Sequence, residues 1–310
     1  MTKSDETTGY LAAEGFLDDL AQELGDVREI HGRLILADGP PRPAAWALNI
    51  WRQAERIPIA SIGEAAKALT SRQRNWAAYA FQLHRRTQLI VEKLPKVSAK
   101  PLMFPQAAPS APLGSFTLLD ANTLLAAKDC SSPFPNGEAR FVEDREVPPN
   151  RAYLKLWEAL TRLRRYPQPG DLCLDLGASP GGWSWVLASL GAKVVAVDRA
   201  PLASAVAVMP GVETRIESAF GLDPAAFGPV DWLFSDIICY PARLLDLVTR
   251  WRASGKVRNF VCTLKFQGAT DHLTAQAFAA LPGSHLMHLF HNKHELTWAL
   301  LDDGNQGERP

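Results

Sequence analysis

Residues Asp171 to Arg199 read DLCLDLGASPGGWSWVLASLGAKVVAVDR: an apolar run, a glycine-rich turn, a helix-length segment and a second apolar run ending in an acid. Two apolar strands joined by one helix-length crossover must run parallel, and a parallel sheet needs helices on both faces to keep it dry. The same rhythm continues from Asn150 to the end of the chain. Candidate strands are LCLDLG, KVVAVD, VETRI, VDWLFSD, NFVCTLK, HLMHLF and LTWALL. Helices are expected over Pro180 to Leu190, Ala203 to Val208, Ala242 to Ala253 and His272 to Ala280. The last two strands have no helix between them, which predicts an antiparallel hairpin on the sheet edge. The fold class is therefore α/β, a doubly wound sheet, preceded by a smaller α+β region.

The turn DLGASPGGW carries the first chemical information. The strand ends at Gly177, Ser179 is placed as the N-cap of the next helix, and Pro180 as its first residue. Glycines at 177, 181 and 182 let the backbone approach a ligand, and a helix N-terminus offers amides to an anionic group. Asp198 ends the second strand about twenty residues on, where an acid grips a ribose diol. A dinucleotide fingerprint reads G-x-G-x-x-G, whereas here Ser179 and Pro180 follow Gly177. This places NAD behind S-adenosylmethionine, whose own carboxylate can take the helix N-terminus.

Composition sets outer limits. Hydrophobic residues are 47% and charged residues 21% of 310, ordinary values for a globular chain. Lysine plus arginine equals aspartate plus glutamate at 33 each, so a nucleic-acid partner needs a local basic patch. Cys130, Cys173, Cys239 and Cys262 form no CxxC pair, which argues against a zinc knuckle and for a reducing compartment. No apolar run approaches a membrane span, and MTKSDETTGY lacks a signal-peptide core, so a cytoplasmic protein without a membrane partner is expected. His285, His288, His291 and His294 recur every third residue, but in an extended chain they alternate faces, and no metal is expected.

Four segments, in order, resemble one family. NRAYLKLWEA, DLGASPGGWSW with VDRAPL, WLFSDIICYPARLLDLV, and FVCTLKF with HNKHELTWAL are similar to the FtsJ-like ribose 2′-O-methyltransferases. Within that family they look most like the RlmM type, which modifies a cytidine of bacterial large-subunit ribosomal RNA. The resemblance spans about Pro149 to Leu301. It implies a class I methyltransferase sheet, which suits the strand count and ending better than a dehydrogenase does, and S-adenosylmethionine as cofactor. It also implies a catalytic Lys-Asp-Lys-Glu tetrad, carried here by Lys155, Asp236, Lys265 and Glu295. The implied cofactor-binding set is Asp175, Gly177, Ser179, Pro180, Gly181, Gly182, Trp183, Asp198, Ser218 and Asp236. Ser218 stands where many relatives have an aspartate near the adenine. Without the resemblance, the periodicity of AYLKLWEAL would put Lys155 on a solvated helix face.

The N-terminal half is less regular. YLAAEGFLDDLAQEL predicts a helix, GRLILAD a strand, and the stretch up to about Pro95 is read as helix-rich. A proline-rich segment near 95–115 reads as a linker or surface loop, and FTLLDANTLLAAKD with GEARFVED as paired strands. Residues 1–146 are assigned to a reduced THUMP-like RNA-recognition module, by resemblance to the opening of the RlmM type, and residues 147–310 to the methyltransferase domain. Candidate phosphate contacts are Arg85, Arg86, Lys93, Lys96 and Lys100, with Arg162, Arg164 and Arg165 nearer the tetrad. Trp46, Trp51 and Trp76 could stack on bases or fill the core. The expectation is a monomeric enzyme acting on 23S ribosomal RNA. The alternatives are another RNA, such as transfer RNA or a cap-like 5′ end, and a non-catalytic protein of ribosome assembly that binds cofactor and RNA.

Overall fold

A computed structural model describes residues 6–302 and divides the chain into two compact units, Met1–Phe141 and Val142–Pro310. In the first unit the order is β1 (Thr7–Ala12), α1 (Leu17–Leu24), β2 (Glu29–His31), β3 (Leu34–Asp38), β4 (Ala47–Arg52), β5 (Glu55–Pro58), α2 (Ile62–Thr70), β6 (Trp76–Ala78), α3 (His84–Val91), β7 (Gly114–Asp120), β8 (Thr123–Ala127) and β9 (Asp129–Cys130). They build a five-stranded sheet, β2-β3-β1-β4-β9, and a four-stranded sheet, β5-β8-β7-β6.

Three expectations for this half change. YLAAEGFLDDLAQEL is not one helix: Tyr10 to Ala12 belong to β1, and Gly15, at φ +84°, breaks the segment before α1 begins at Leu17. Pairing of β1 on both edges, with β3 and β4, outweighs its helical periodicity. The stretch up to Pro95 holds strands as well as helices. The proline-rich segment, expected as a linker or surface loop within residues 1–146, runs between α3 and β7 of the first unit, where Leu102 bridges Phe141. FTLLDANTLLAA does form the hairpin β7–β8, whereas GEARFVED contributes only that isolated bridge. Trp46, Trp51 and Trp76 are all buried and belong to the core.

The second unit follows its expected rhythm. Its elements are α4 (Tyr153–Leu163), β10 (Leu172–Leu176), α5 (Gly182–Ser189), β11 (Lys193–Asp198), α6 (Ser204–Ala207), β12 (Val212–Ile216), β13 (Val230–Ser235), α7 (Pro241–Ala253), β14 (Val257–Lys265), α8 (His272–Ala279), β15 (Ser284–Met287) and β16 (Glu295–Leu300). One seven-stranded sheet runs β12-β11-β10-β13-β14-β16-β15. Strands β10 to β14 pair in parallel, and β16 is antiparallel to both its neighbours. The chain starts in the middle of the sheet at β10, winds outward to β12, then returns to β13 and winds the other way. Ligands bind such sheets beyond the strand carboxyl ends, at the point of reversal. Here that point lies between β10 and β13.

The terminal antiparallel hairpin forms on the sheet edge, as expected, with its second strand innermost. β16 inserts between β14 and β15, leaving β15 as the rim. The burial pattern explains why: β16 is buried at five of six positions, whereas β15 is buried at none. Trp298 on β16 packs its ring against Phe260 and Phe278 and is fully enclosed. Because β16 runs antiparallel, its first residue lies at the edge where β14 ends, and Lys265 pairs in register with Glu295. Trp298→Ala should cost about 3–5 kcal/mol of stability, the usual penalty for emptying a large aromatic site. The shift of the denaturant midpoint measures it.

Candidate active site

The glycine-rich turn shapes one wall of a cavity of about 540 Å³. Gly177 sits at φ +78°, and a Cβ there would lie 2.5 Å from Ile237 Cγ1 and 2.9 Å from its Cα. Only glycine lets β10 end so close to the segment that follows β13. Helix α5 starts at Gly182, later than the sequence suggested, with Gly181 at φ +116° before it. Ser179 is therefore not its cap, nor Pro180 its first residue: the Ser179 hydroxyl donates to the Pro201 carbonyl at 2.9 Å and its amide to Asp198 Oδ2 at 3.0 Å. Asp198 Oδ1 accepts the Ala200 amide at 2.9 Å, so the carboxylate is held rigidly at the cavity wall.

Of the cofactor set named from the sequence, Gly177, Ser179, Pro180, Asp198, Ser218 and Asp236 line the cavity. Asp175, Gly181, Gly182 and Trp183 do not. Trp183 is buried, donates its ring N–H to the Ala152 carbonyl at 3.0 Å and meets Phe234 edge-on, so it is a core residue. Gly181 and Gly182 instead make room for Val206 and Asn150. Asn150, Glu217, Phe220, Ile237, Ile238 and Arg243 also line the cavity and were not foreseen. Ile237, Ile238 and Arg243 lie within WLFSDIICYPARLLDLV, and Arg243, 3.8 Å over the Phe220 ring, has no signal in local sequence because a loop from another strand supplies its partner. Burial, the largest influence, pushes the Asp175 carboxyl up to about 7, and the nearby Asp236 and Asp198 charges act in the same direction. A hydrogen bond of 2.6 Å from the Ser184 hydroxyl opposes this only in part.

The tetrad residues converge. Lys155 Nζ lies 2.8 and 2.9 Å from the two Asp236 carboxylate oxygens and 3.2 Å from Glu295 Oε1. Lys265 Nζ donates to the Asp236 backbone carbonyl at 2.6 Å and lies 3.1 Å from its Oδ1. Asp236 follows β13, Lys265 ends β14, Glu295 opens β16, and α4 supplies Lys155. Lys155 is not solvated as its periodicity suggested. All residues from Tyr153 to Thr161 are buried, so α4 has no wet face in that span and its charges must be paired within the protein. The two lysines differ. Lys155 has three carboxylate acceptors for three N–H groups, whereas Lys265 lines the cavity and, among the described residues, leans on Asp236.

Glu158, one turn beyond Lys155, is fully buried and was also missed. Burial would raise its pKa, but Arg162, His291 and the Phe290 amide hold it below the usual carboxylate range. Arg162 Nε donates to it at 2.7 Å, which commits to the interior an arginine first read as an RNA contact. Arg164 and Arg165 are exposed, with Arg165 donating to the Asp302 carbonyl at 3.0 Å. In the first unit, Arg85, Lys93, Lys96 and Lys100 are exposed and Arg86 is half-buried. Among the described residues no cluster of three histidine, cysteine or acidic side chains could hold a metal, and His288, His291 and His294 each bond to a different residue. All four cysteines are free thiols, and no helix of the described residues is long and apolar enough to cross a membrane.

The carboxyl edge of this sheet thus carries Asp198 at one place and a lysine–carboxylate cluster at another, and Asp198, Asp236 and Lys265 line one cavity. Residues 148–277 match the model of the FtsJ-like methyltransferase family. The chain is similar to the Ribosomal RNA large subunit methyltransferase M of Halorhodospira halophila, 37% identical over 172 residues, which covers 53% of this chain and 50% of that protein. The protein of the same name from Azoarcus sp. is 35% identical over 144 residues, 44% of this chain and 39% of the relative. That from Laribacter hongkongensis is 32% identical over 195 residues, 57% and 54% respectively. The chain thus aligns with about half the length of these curated relatives.

Asp175 makes stability depend on pH in a defined direction. Its carboxyl is raised from 3.8 to about 7 on folding, so the unfolded chain gives up its proton first and the folded state loses stability as pH rises between these values. Asp175→Asn should flatten that decline between about pH 4 and 7, read from denaturant midpoints across the range.

Proposed function

We propose that the chain is an S-adenosylmethionine-dependent RNA ribose 2′-O-methyltransferase acting on large-subunit ribosomal RNA. The target nucleotide on this reading is a cytidine, the substrate implied by the resemblance to the RlmM type. The observation that carries the reaction class is the meeting of Lys155, Asp236, Lys265 and Glu295 beside the cavity that Asp198 and Gly177 also line.

The cavity suits the cofactor at Asp198, which presents fixed carboxylate oxygens with acceptor capacity left for a diol, while Gly177 lets the turn pack against Ile237 and so shapes the wall beside it. When bound, S-adenosylmethionine supplies an activated methyl group. The protein's task is then to position a ribose 2′-hydroxyl and offset the negative charge that grows on its oxygen. Lys265, the tetrad lysine that lines the cavity, orients that hydroxyl and takes its proton as the oxygen–carbon bond forms and the methyl carbon leaves the cofactor's sulfur. Asp236 fixes Lys265 through both its carbonyl and its carboxylate, while Lys155, gripped by Asp236 and Glu295, anchors the acids from below. Ser218, Ala219 and Phe220 lie beyond Asp198 along the strand edge and are the residues that would face the adenine.

The first unit, with its exposed Arg85, Lys93, Lys96 and Lys100, is read as the RNA-recognition region. Contacts of that kind make RNA affinity fall steeply with salt.

Transfer of labelled methyl to unmodified ribosomal RNA tests the reading. Lys265→Ala should lower transfer by about 100- to 1,000-fold with cofactor affinity nearly unchanged, a loss typical of a positioned proton acceptor. Asp198→Ala should instead weaken cofactor binding, measured by calorimetry. Cofactor binding without transfer to any RNA would favour a non-catalytic binding protein.

A further inference from the structure

We propose that Glu158 is a positioning residue that locks the β15–β16 connection onto α4 and thereby sets Glu295 against Lys155. The proposal rests on the methyl-transfer reading above and extends it to a residue outside the tetrad.

Glu158 has no exposed surface, and both its oxygens are engaged by the connection. Oε1 accepts the Phe290 amide at 2.9 Å, and Oε2 accepts the His291 amide at 3.0 Å, with His291 Nδ1 at 2.8 Å. The connection then runs directly into the site. Asn292 Nδ2 donates to the Glu295 carbonyl at 3.1 Å and to Thr297 Oγ1 at 3.2 Å, and the Glu295 amide donates to the Lys293 carbonyl at 2.9 Å. Glu295 Oε1 finally returns to α4 at Lys155 Nζ, 3.2 Å away. Lys155 and Glu158 are three residues apart and share a helix face, about 4.5 Å along the axis. The contacts close a ring: α4 holds the loop at Glu158, and the loop hands a carboxylate back to α4 at Lys155.

A buried charge is a poor way to gain stability alone, because desolvation offsets much of the attraction. A carboxylate is well suited to gripping two consecutive backbone amides and an imidazole at once. Phe290 and His291 lie four to five residues before Glu295, close enough that their freedom becomes freedom of the Glu295 carboxylate.

The test uses Glu158→Gln in the full chain, since glutamine keeps the volume but has one acceptor oxygen where the carboxylate has two. Hydrogen exchange of peptides covering 288–295 should rise while those of β10 and β11 stay unchanged. The kcat for methyl transfer should fall about 10- to 100-fold, as expected for a displaced catalytic group, with KM for cofactor and RNA within about twofold. Unchanged exchange over 288–295 overturns the proposal, as does faster exchange with undiminished kcat. A parallel rise in the cofactor KM and in β10 exchange also overturns it, because the role is then general stability. If the glutamine variant does not fold, His291→Ala, which removes one of the ring's contacts, carries the same readouts with a smaller change. A wild-type chain that transfers no methyl refutes the functional reading instead, and the exchange comparison alone then decides the clamp.

Discussion

A lysine ammonium buried on a helix with no wet face must find acceptors within the protein, and the second unit of this chain is arranged to provide them. Lys155 is 8% exposed and contacts both carboxylates of the site. One carboxylate comes from the end of a parallel strand and the other from the start of an antiparallel one. The two acids meet only because β16 reverses direction between β14 and β15. With an all-parallel sheet, the first residue of that strand would lie at the opposite edge, and Lys155 would be left with an uncompensated charge. The electrostatic requirement and the topology therefore constrain one another.

The same economy divides labour between the two lysines. An ammonium has three N–H groups, and those of Lys155 find three carboxylate oxygens, which makes it a strut. Lys265 is set against one residue and lines the cavity. Two residues of one type thus sit in different surroundings through acceptor count.

How much could be read from the sequence followed the range of the interactions involved. The seven strands of the second unit came from apolar runs, whose period is local, and the tetrad came from family resemblance at four separated segments. The helix start at Gly182 was missed because Ser179 looks like a cap, yet its hydroxyl bonds to Pro201, twenty-two residues away. Glu158 was missed for a related reason: within YLKLWEALTRL it looks like an exposed acid paired with Arg162, and a loop 132 residues later is what supplies its backbone-amide and imidazole partners. In the first unit, the end of β1 reads as helix because its strand pairing lies outside the segment that shows the helical period. Residues that answer to local rules were legible, and those that answer to distant partners were not.

The insertion of β16 also orders the birth of the site in time. On a ribosome the chain emerges from its amino end, so β10 to β14 are available to pair while residues 295–300 are still in the exit tunnel. Until they appear, the edge of β14 is an unpaired strand with buried-type side chains such as Phe260 and Cys262. A protein so built brings Glu295 to the site and covers the open edge of β14 in one late event.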